Sequence, residues 1–423
     1  MKILYYFEPW IELAKPHMRY FNLKDQLGPQ IRAIKNACPE VEIMVIIGEG
    51  TAHKCAFENY DYDKCDYVVE IKQQDLKKLY PNYLEASKSL YYKQDNHDYA
   101  DFLAQETCGF IPDVVISFLA PLPDMSTAWP DALTLYAEFG IFSRKPYPKS
   151  YYFDVAGMFY QSSISQYASE ILNSRYSSEE IFRLNRLRNE TIFPSCQNSV
   201  IGTLPLKLKA EQFQCNLLLP LQFSGYFGFD CCAPYVDQFD YLTNVFDTIP
   251  SNIGIFVTEH DGWPKVITHH NIHYLEDKYP NLLWSPEFSN ISAVSQALMP
   301  LVDGVITVSS SMGLQSMLWD KPVFSPWQSH LKGFSFVDSL GEISIDNIRS
   351  YQTGYYDAAI LTLLSRYYLI EDITYDARKF IAFITHLYHN RQAQSFIELY
   401  PQTDSIMTII DSVESKFTCN SLL

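Results

Sequence analysis

Three consecutive hydroxyls at the exit of an apolar run give this chain its clearest chemical signal. Gly304-Val305-Ile306-Thr307-Val308 runs into Ser309-Ser310-Ser311, followed by Met312, Gly313 and the stretch up to Trp319. A buried strand that ends in serines and opens a helix presents free backbone N–H groups, the positive end of the helix dipole and hydroxyl donors to a single anion. Ser309, Ser310, Ser311 and Gly313 are therefore candidates for holding a phosphate. The same residues would also serve as a serine cap with no ligand. The pattern matches neither G-x-G-x-x-G nor G-x-x-x-x-G-K-[ST], so it points to a nucleotide without naming the base.

Carboxylates and bases follow other apolar runs. Asp230 lies in the Phe223–Cys232 loop after Leu217–Pro220. An aspartate of ordinary pKa, about 3.9, is ionised at neutral pH and can act as a nucleophile, and aspartate is also a common turn residue. Glu138 ends the apolar run Leu133–Ala137, and Asp154 ends the weaker Tyr151–Val155. Either could trade protons if its surroundings raised its pKa, or be a plain surface or turn carboxylate. His260 follows Gly254–Thr258, with Lys265 five residues on. The pair could hold a phosphate or a carboxylate, His260 could carry a proton, or the histidine could simply cap the strand. His269-His270-x-x-His273 has a metal-like look, but only Glu276 and Asp277 lie nearby to complete a ligand set, so no metal is expected.

These residues need elements to hold them. Short β-branched runs alternate with amphipathic stretches, which predicts an α/β fold of parallel strands joined by helices. Strands are expected at Lys2–Phe7, Glu42–Ile47, Tyr67–Ile71, Val114–Leu119 and Tyr151–Val155, with helices at Asp25–Ala37 and Ala128–Phe139. The stretch Arg183–Leu208 breaks the rhythm and reads as a link. The alternation then restarts with strands at Asn216–Pro220, Gly254–Thr258, Leu282–Trp284, Gly304–Val308 and Pro322–Ser325. Helices are expected at Val236–Phe246, Ser292–Met299 and Gly313–Trp319, and the tail is helical from Ala358 onward. The division expected is two doubly wound Rossmann-like domains, 1–200 and 201–375, facing across a cleft. Helices of 376–423 would pack back toward the first. Ligands in such sheets sit beyond the carboxyl ends of the strands, where every candidate above falls.

Composition bounds the function. The 423 residues are 47% hydrophobic and 19% charged, enough for two large cores and too apolar for disorder. A formal charge of −17 excludes a general nucleic-acid partner, which would require a basic face. The nine cysteines contain no C-x-x-C pair and read as free thiols in a reducing cytoplasm. No run is apolar enough to cross a bilayer, which leaves room for peripheral association with membrane-bound polysaccharide assembly enzymes.

Several segments in order resemble the capsule-type transferases that use CMP-Kdo. They are Leu217-Leu218-Leu219-Pro220-Leu221-Gln222, Asp230, Val257-Thr258-Glu259-His260, and the serine loop with Lys321-Pro322-Val323. Upstream, Glu138-Phe139-Gly140-Ile141-Phe142-Ser143-Arg144 is similar to that family's glutamate-glycine-arginine segment, and the retaining β-Kdo transferases of the WbbB type match best. One departure is that the family's His-Pro pair reads His260-Asp261 here. The resemblance implies a metal-free glycosyltransferase of the two-lobed B type that moves Kdo from CMP-Kdo to a sugar hydroxyl of a bacterial lipopolysaccharide O-antigen or capsule. Asp230 would be the nucleophile and Glu138 the acid/base, with Asp154 in reserve and His260 assisting. The donor would be held by the serine loop, Gln222, Lys265, His330 and Arg144. The loop of Glu8, Trp10 and His17 would border the acceptor glycan, Trp10 stacking on a sugar face. Two other readings stay open: a UDP-sugar transferase or epimerase of the same fold, and a non-catalytic glycan-binding component of an assembly complex.

Overall fold

The computed structural model describes residues 1–93, 97–142, 147–197, 205–260 and 264–417. Twelve strands are found among them: β1 (Lys2–Phe7), β2 (Glu42–Gly48), β3 (Tyr67–Ile71), β4 (Val114–Phe118), β5 (Leu133–Phe139), β6 (Ser150–Asp154), β7 (Cys215–Pro220), β8 (Ile253–Thr258), β9 (Leu282–Leu283), β10 (Gly304–Ile306), β11 (Val323–Phe324) and β12 (Leu369–Ile370). They form a seven-stranded sheet, β12-β6-β5-β4-β1-β2-β3, and a five-stranded sheet, β11-β10-β7-β8-β9. The smaller sheet is parallel throughout. The larger is parallel from β5 to β3 and antiparallel at β5/β6 and β6/β12. All residues of β4 and β8 are buried, as in strands covered on both faces by helices. The fold is thus two Rossmann-like α/β units.

The units are not the halves expected from the sequence. The first comprises Met1–Phe139, Ser150–Met158 and Leu369–Thr403; the second comprises Gly140–Lys149, Phe159–Tyr368 and Asp404–Leu423. The expected boundary at 200 is corrected because residues 159–197 are tied to the second unit. The Arg188 guanidinium donates to Leu318 O at 2.8 Å and to Asp357 at 2.5 Å, and Tyr176 to Thr362 at 3.0 Å. The described residues of the stretch read as a link are helical, within Ser178–Arg186, from Leu187 to Gln197 and in Pro205–Ala210. The expected tail splits as well. Its Ala377–Asn390 helix belongs to the first unit, with Phe380 packing on Phe153 at 5.0 Å between ring centroids. Its Ile406–Ser415 helix belongs to the second, where Asp411 and Glu414 pair with Arg183.

One element is of the other type. Within Ala128–Phe139, expected as a helix, Leu133–Phe139 is a strand, and the helical turn Asp124–Ala128 ends where that helix would begin. Pairing of Val114–Phe118 with Leu133–Ala137 and of Phe139–Tyr136 with Tyr151–Asp154 overrides the local preference of Ala and Leu.

Candidate functional site

In the second unit the chain runs from β7 outward to β8 and β9, then returns to place β10 and β11 on the other side. The strand order reverses between β7 and β10, and open parallel sheets bind ligands beyond the carboxyl ends at such a reversal. Gln222 follows β7 and Ser309 follows β10. They meet there, Gln222 Nε2 donating to Ser309 Oγ at 3.0 Å. Ser309 Oγ donates in turn to Gly228 O. Gly228 sits in the single helical turn Phe227–Asp230, which carries the half-buried Asp230.

The three serines have different jobs. Ser309 is 3% exposed and bonded internally. Ser310 caps the Ser311–Leu318 helix, its Oγ accepting from Met312 N at 3.3 Å. Ser311 is half-buried at the first turn of that helix, and its hydroxyl makes no hydrogen bond with a described residue. Gly313, expected to help hold phosphate, is packed closely at the Cα. A Cβ there would lie 2.5 Å from Leu331 Cδ1 and 3.1 Å from Thr307 and Val323 methyls, so glycine lets the helix settle on the sheet.

His330 lies in the loop after β11. It is buried, its ring meets Phe159 edge-on at 5.5 Å, and its Nδ1 has no hydrogen-bond partner among the described residues. Burial lowers its pKa to about 4, so the imidazole is neutral at physiological pH. Phe159 also packs edge-on against Phe227 at 5.4 Å.

The loop after β8 is braced by Glu259, whose Oε1 accepts from Val266 N at 2.6 Å and Ile267 N at 3.1 Å. His260 is half-buried, its ring edge-on to Phe223 at 5.3 Å, and Lys265 is exposed. Beside this loop lies a pocket of about 200 Å³ lined by Glu259, Lys265, Thr268, Trp284 and Phe288, among others. Sequence reasoning passes over Trp284 and Phe288. The available signal is an aromatic directly after the Leu282–Leu283 strand, at the end of the sheet where ligands bind.

In the first unit the expected acceptor loop is buried at its start and exposed at its end. Glu8 is 1% exposed, ion-paired with Arg19 at 2.6 Å and accepting from Tyr91 OH at 2.5 Å. Trp10 is fully buried against Tyr80 and Tyr99, so it offers no face for a sugar to stack on. His17 is exposed, with Nδ1 donating to Gly50 O at 2.6 Å. Glu138 stands half-buried at the carboxyl end of β5 and accepts from Tyr152 OH at 3.1 Å. Asp154, the reserve candidate, is fully buried and closes a turn by accepting from Ala156 N at 2.7 Å and Gly157 N at 3.2 Å. Arg144 lies outside the described residues.

His269, His270 and His273 are exposed. Glu49, His53 and Glu70 bring ligand atoms within 4.8 Å of one another. Both carboxylates there already have partners: Glu49 accepts from Gln73 N at 3.1 Å, and Glu70 pairs with Lys72 at 2.5 Å. Among the described residues no helix is long and apolar enough to cross a membrane.

No protein-family model matches the chain, and no curated protein matches it by sequence. Among solved structures it is similar to the beta Kdo 2,7 transferase KpsC of Thermosulfurimonas dismutans, at 12% identity over 97% of this chain and 99% of that one, with a TM-score of 0.45. It is similar to a putative UDP-N-acetylglucosamine 2-epimerase from Listeria monocytogenes, at 11% identity over 93% and 97%, TM-score 0.34. A third is the E. coli heptosyltransferase WaaC with ADP-2-deoxy-2-fluoro heptose, at 12% identity over 77% and 88%, TM-score 0.21.

Proposed function

We propose that this protein is a glycosyltransferase, and specifically a retaining transferase of the WbbB type that moves Kdo from CMP-Kdo to a sugar hydroxyl of a bacterial surface polysaccharide. One observation carries the reading. The turn bearing Asp230 is bonded to the serine loop at the point where the strand order of the second sheet reverses. A carboxylate and a phosphate-type helix start are thereby held in one neighbourhood, as attack on a sugar phosphate requires.

In the proposed reaction the Asp230 carboxylate attacks the anomeric carbon. The bond from that carbon to the phosphate oxygen breaks, and CMP departs with the electron pair. Its phosphate negative charge is met by Ser311 and the first amides of the Ser311–Leu318 helix. An acceptor hydroxyl then displaces Asp230 as a base removes its proton, and two inversions give net retention. Glu138 is the candidate for that base, since Asp154 is buried and engaged in its turn. The pocket beside Glu259 offers Trp284 and Phe288 to a nucleoside base. The acceptor class and an association with membrane-bound assembly enzymes rest on the sequence resemblance alone.

The experiment is mass spectrometry of the intact protein after incubation with CMP-Kdo. A Kdo mass increment mapping to Asp230, absent from Asp230→Asn, is the expected result. Thermal melting with CMP and with UDP at millimolar levels accompanies it. Stabilisation by UDP alone would replace the donor assignment with a UDP-sugar. Activity retained by Asp230→Asn would remove the nucleophile.

A further inference from the structure

We propose that Ser309 is a positioning residue whose hydroxyl holds the Phe227–Asp230 turn, and with it the Asp230 carboxylate, rather than a ligand of the donor phosphate. The inference rests on the reading of Asp230 as nucleophile.

A helix of four residues leaves its last carbonyl groups without intrahelical partners. The amide that would ordinarily serve Gly228 O is that of Cys232, and it donates to Phe229 O at 3.0 Å instead. Ser309 supplies the missing donor from a different loop, 81 residues further along the chain. Its single O–H is shared between that carbonyl and Gln222 Oε1, 3.1 Å away, and its oxygen lies 3.0 Å from Gln222 Nε2, so every partner of the hydroxyl is internal. Gln222 is fixed in its turn, its backbone N–H donating to Gln238 Oε1 at 2.9 Å, where Gln238 is 1% exposed.

The Cα of Gly228 is confined as well. A Cβ at Gly228 would lie 2.6 Å from Phe159 Cζ and 2.7 Å from Tyr226 Cε1, so the backbone rests directly on aromatic rings. Aromatic packing against the Cα of Gly228 and the Ser309 hydroxyl on its carbonyl together fix where the turn can sit. Ser309 has neither a spare proton nor exposure to offer a phosphate. Ser311, half-buried at the helix start, has both.

The two serines therefore predict opposite kinetic signatures. Ser309→Ala lowers kcat, because a displaced nucleophile costs on the order of 10- to 100-fold in rate, and leaves the donor KM near the wild-type value. Ser311→Ala chiefly raises the donor KM. Ser309→Thr, which keeps a hydroxyl, recovers most of the rate.

The test compares full-length wild type, Ser309→Ala and Ser309→Thr by amide hydrogen exchange over residues 228–232 and by the rate of Kdo labelling of Asp230. Faster exchange in that segment, slower labelling and an unchanged melting temperature in Ser309→Ala support the proposal. Unchanged exchange, or a defect confined to donor KM, overturns it. If Asp230 is never labelled in the wild type, the nucleophile reading fails, while the exchange comparison still decides whether Ser309 holds the turn. Should Ser309→Ala not fold, Ser309→Cys, a weaker donor, carries the same expectations at smaller size.

Discussion

His330 keeps its imidazole where almost no water reaches it, and that makes stability depend on pH. Burial holds the folded pKa at about 4, whereas an unfolded histidine titrates near ~6.5. Between those values the unfolded chain binds the proton and the folded chain does not, so stability rises with pH across this window. The contribution is complete above the unfolded value and is lost as pH falls toward 4. Its full size is roughly 3 kcal/mol, since each tenfold difference in proton affinity is worth about 1.4 kcal/mol. Urea unfolding at pH 7.5, 6 and 5 should show a shallower pH dependence for His330→Gln than for wild type; identical slopes would mean that His330 takes up its proton while folded. At this scale the sequence is partly legible. The serines and Asp230 announce themselves by following apolar runs. That Ser309 bonds to Gly228, or that Glu8 and Trp10 turn inward, depends on partners far away in sequence, which no local pattern records.

The Ser311–Leu318 helix is secured at both ends. Ser310 caps its start, and at its finish Arg188 donates to Leu318 O at 2.8 Å and Met317 O at 3.3 Å, placing a cation at the negative end of the dipole. Arg188 is 2% exposed and is neutralised by Asp357, itself buried. Removing one partner of a buried pair leaves the other uncompensated, so Asp357→Ala should cost about 3–5 kcal/mol in urea unfolding. A loss below about 1 kcal/mol would mean that water reaches the guanidinium. On the inner face of the same helix, Gly313→Ala drives a methyl toward Leu331 and should cost about 1–3 kcal/mol. A variant as stable as the wild type would show that Leu331 yields freely. Most elements are readable because fully apolar runs become buried parallel strands. Leu133–Phe139 is not, since its strand character comes from the neighbours on either side of it.

At the scale of the whole chain, the first unit is assembled from three stretches of sequence and cannot be separated from the second by one cut. Its last stretch supplies β12, antiparallel to β6, and the Ala377–Asn390 helix. Gln30, fully buried, accepts from Tyr5 OH at 2.8 Å and donates to Thr374 O at 3.2 Å, binding the amino-terminal strand to this late segment. The helical tail predicts the return but not its division at residue 404, because both tail helices are amphipathic and only contact decides which core each covers. Phe380, Phe383, Ile384 and Leu387 are buried by this packing. At about 1.5–3 kcal/mol each, they contribute some 6–12 kcal/mol, as much as the typical stability of an entire domain, about 5–15 kcal/mol. A chain ending at residue 368 should therefore fail to fold its first unit, losing near-UV circular dichroism and binding a hydrophobic dye, even though every strand from β1 to β6 is present. A chain ending at residue 403 loses contacts of the second unit, among them the Ile406–Ser415 helix with its pairing to Arg183 and the packing of Phe417 on Tyr147, and should keep the first unit's cooperative melt. If the 368-residue chain melts cooperatively with wild-type near-UV signal, the first unit's core does not depend on the returning helix.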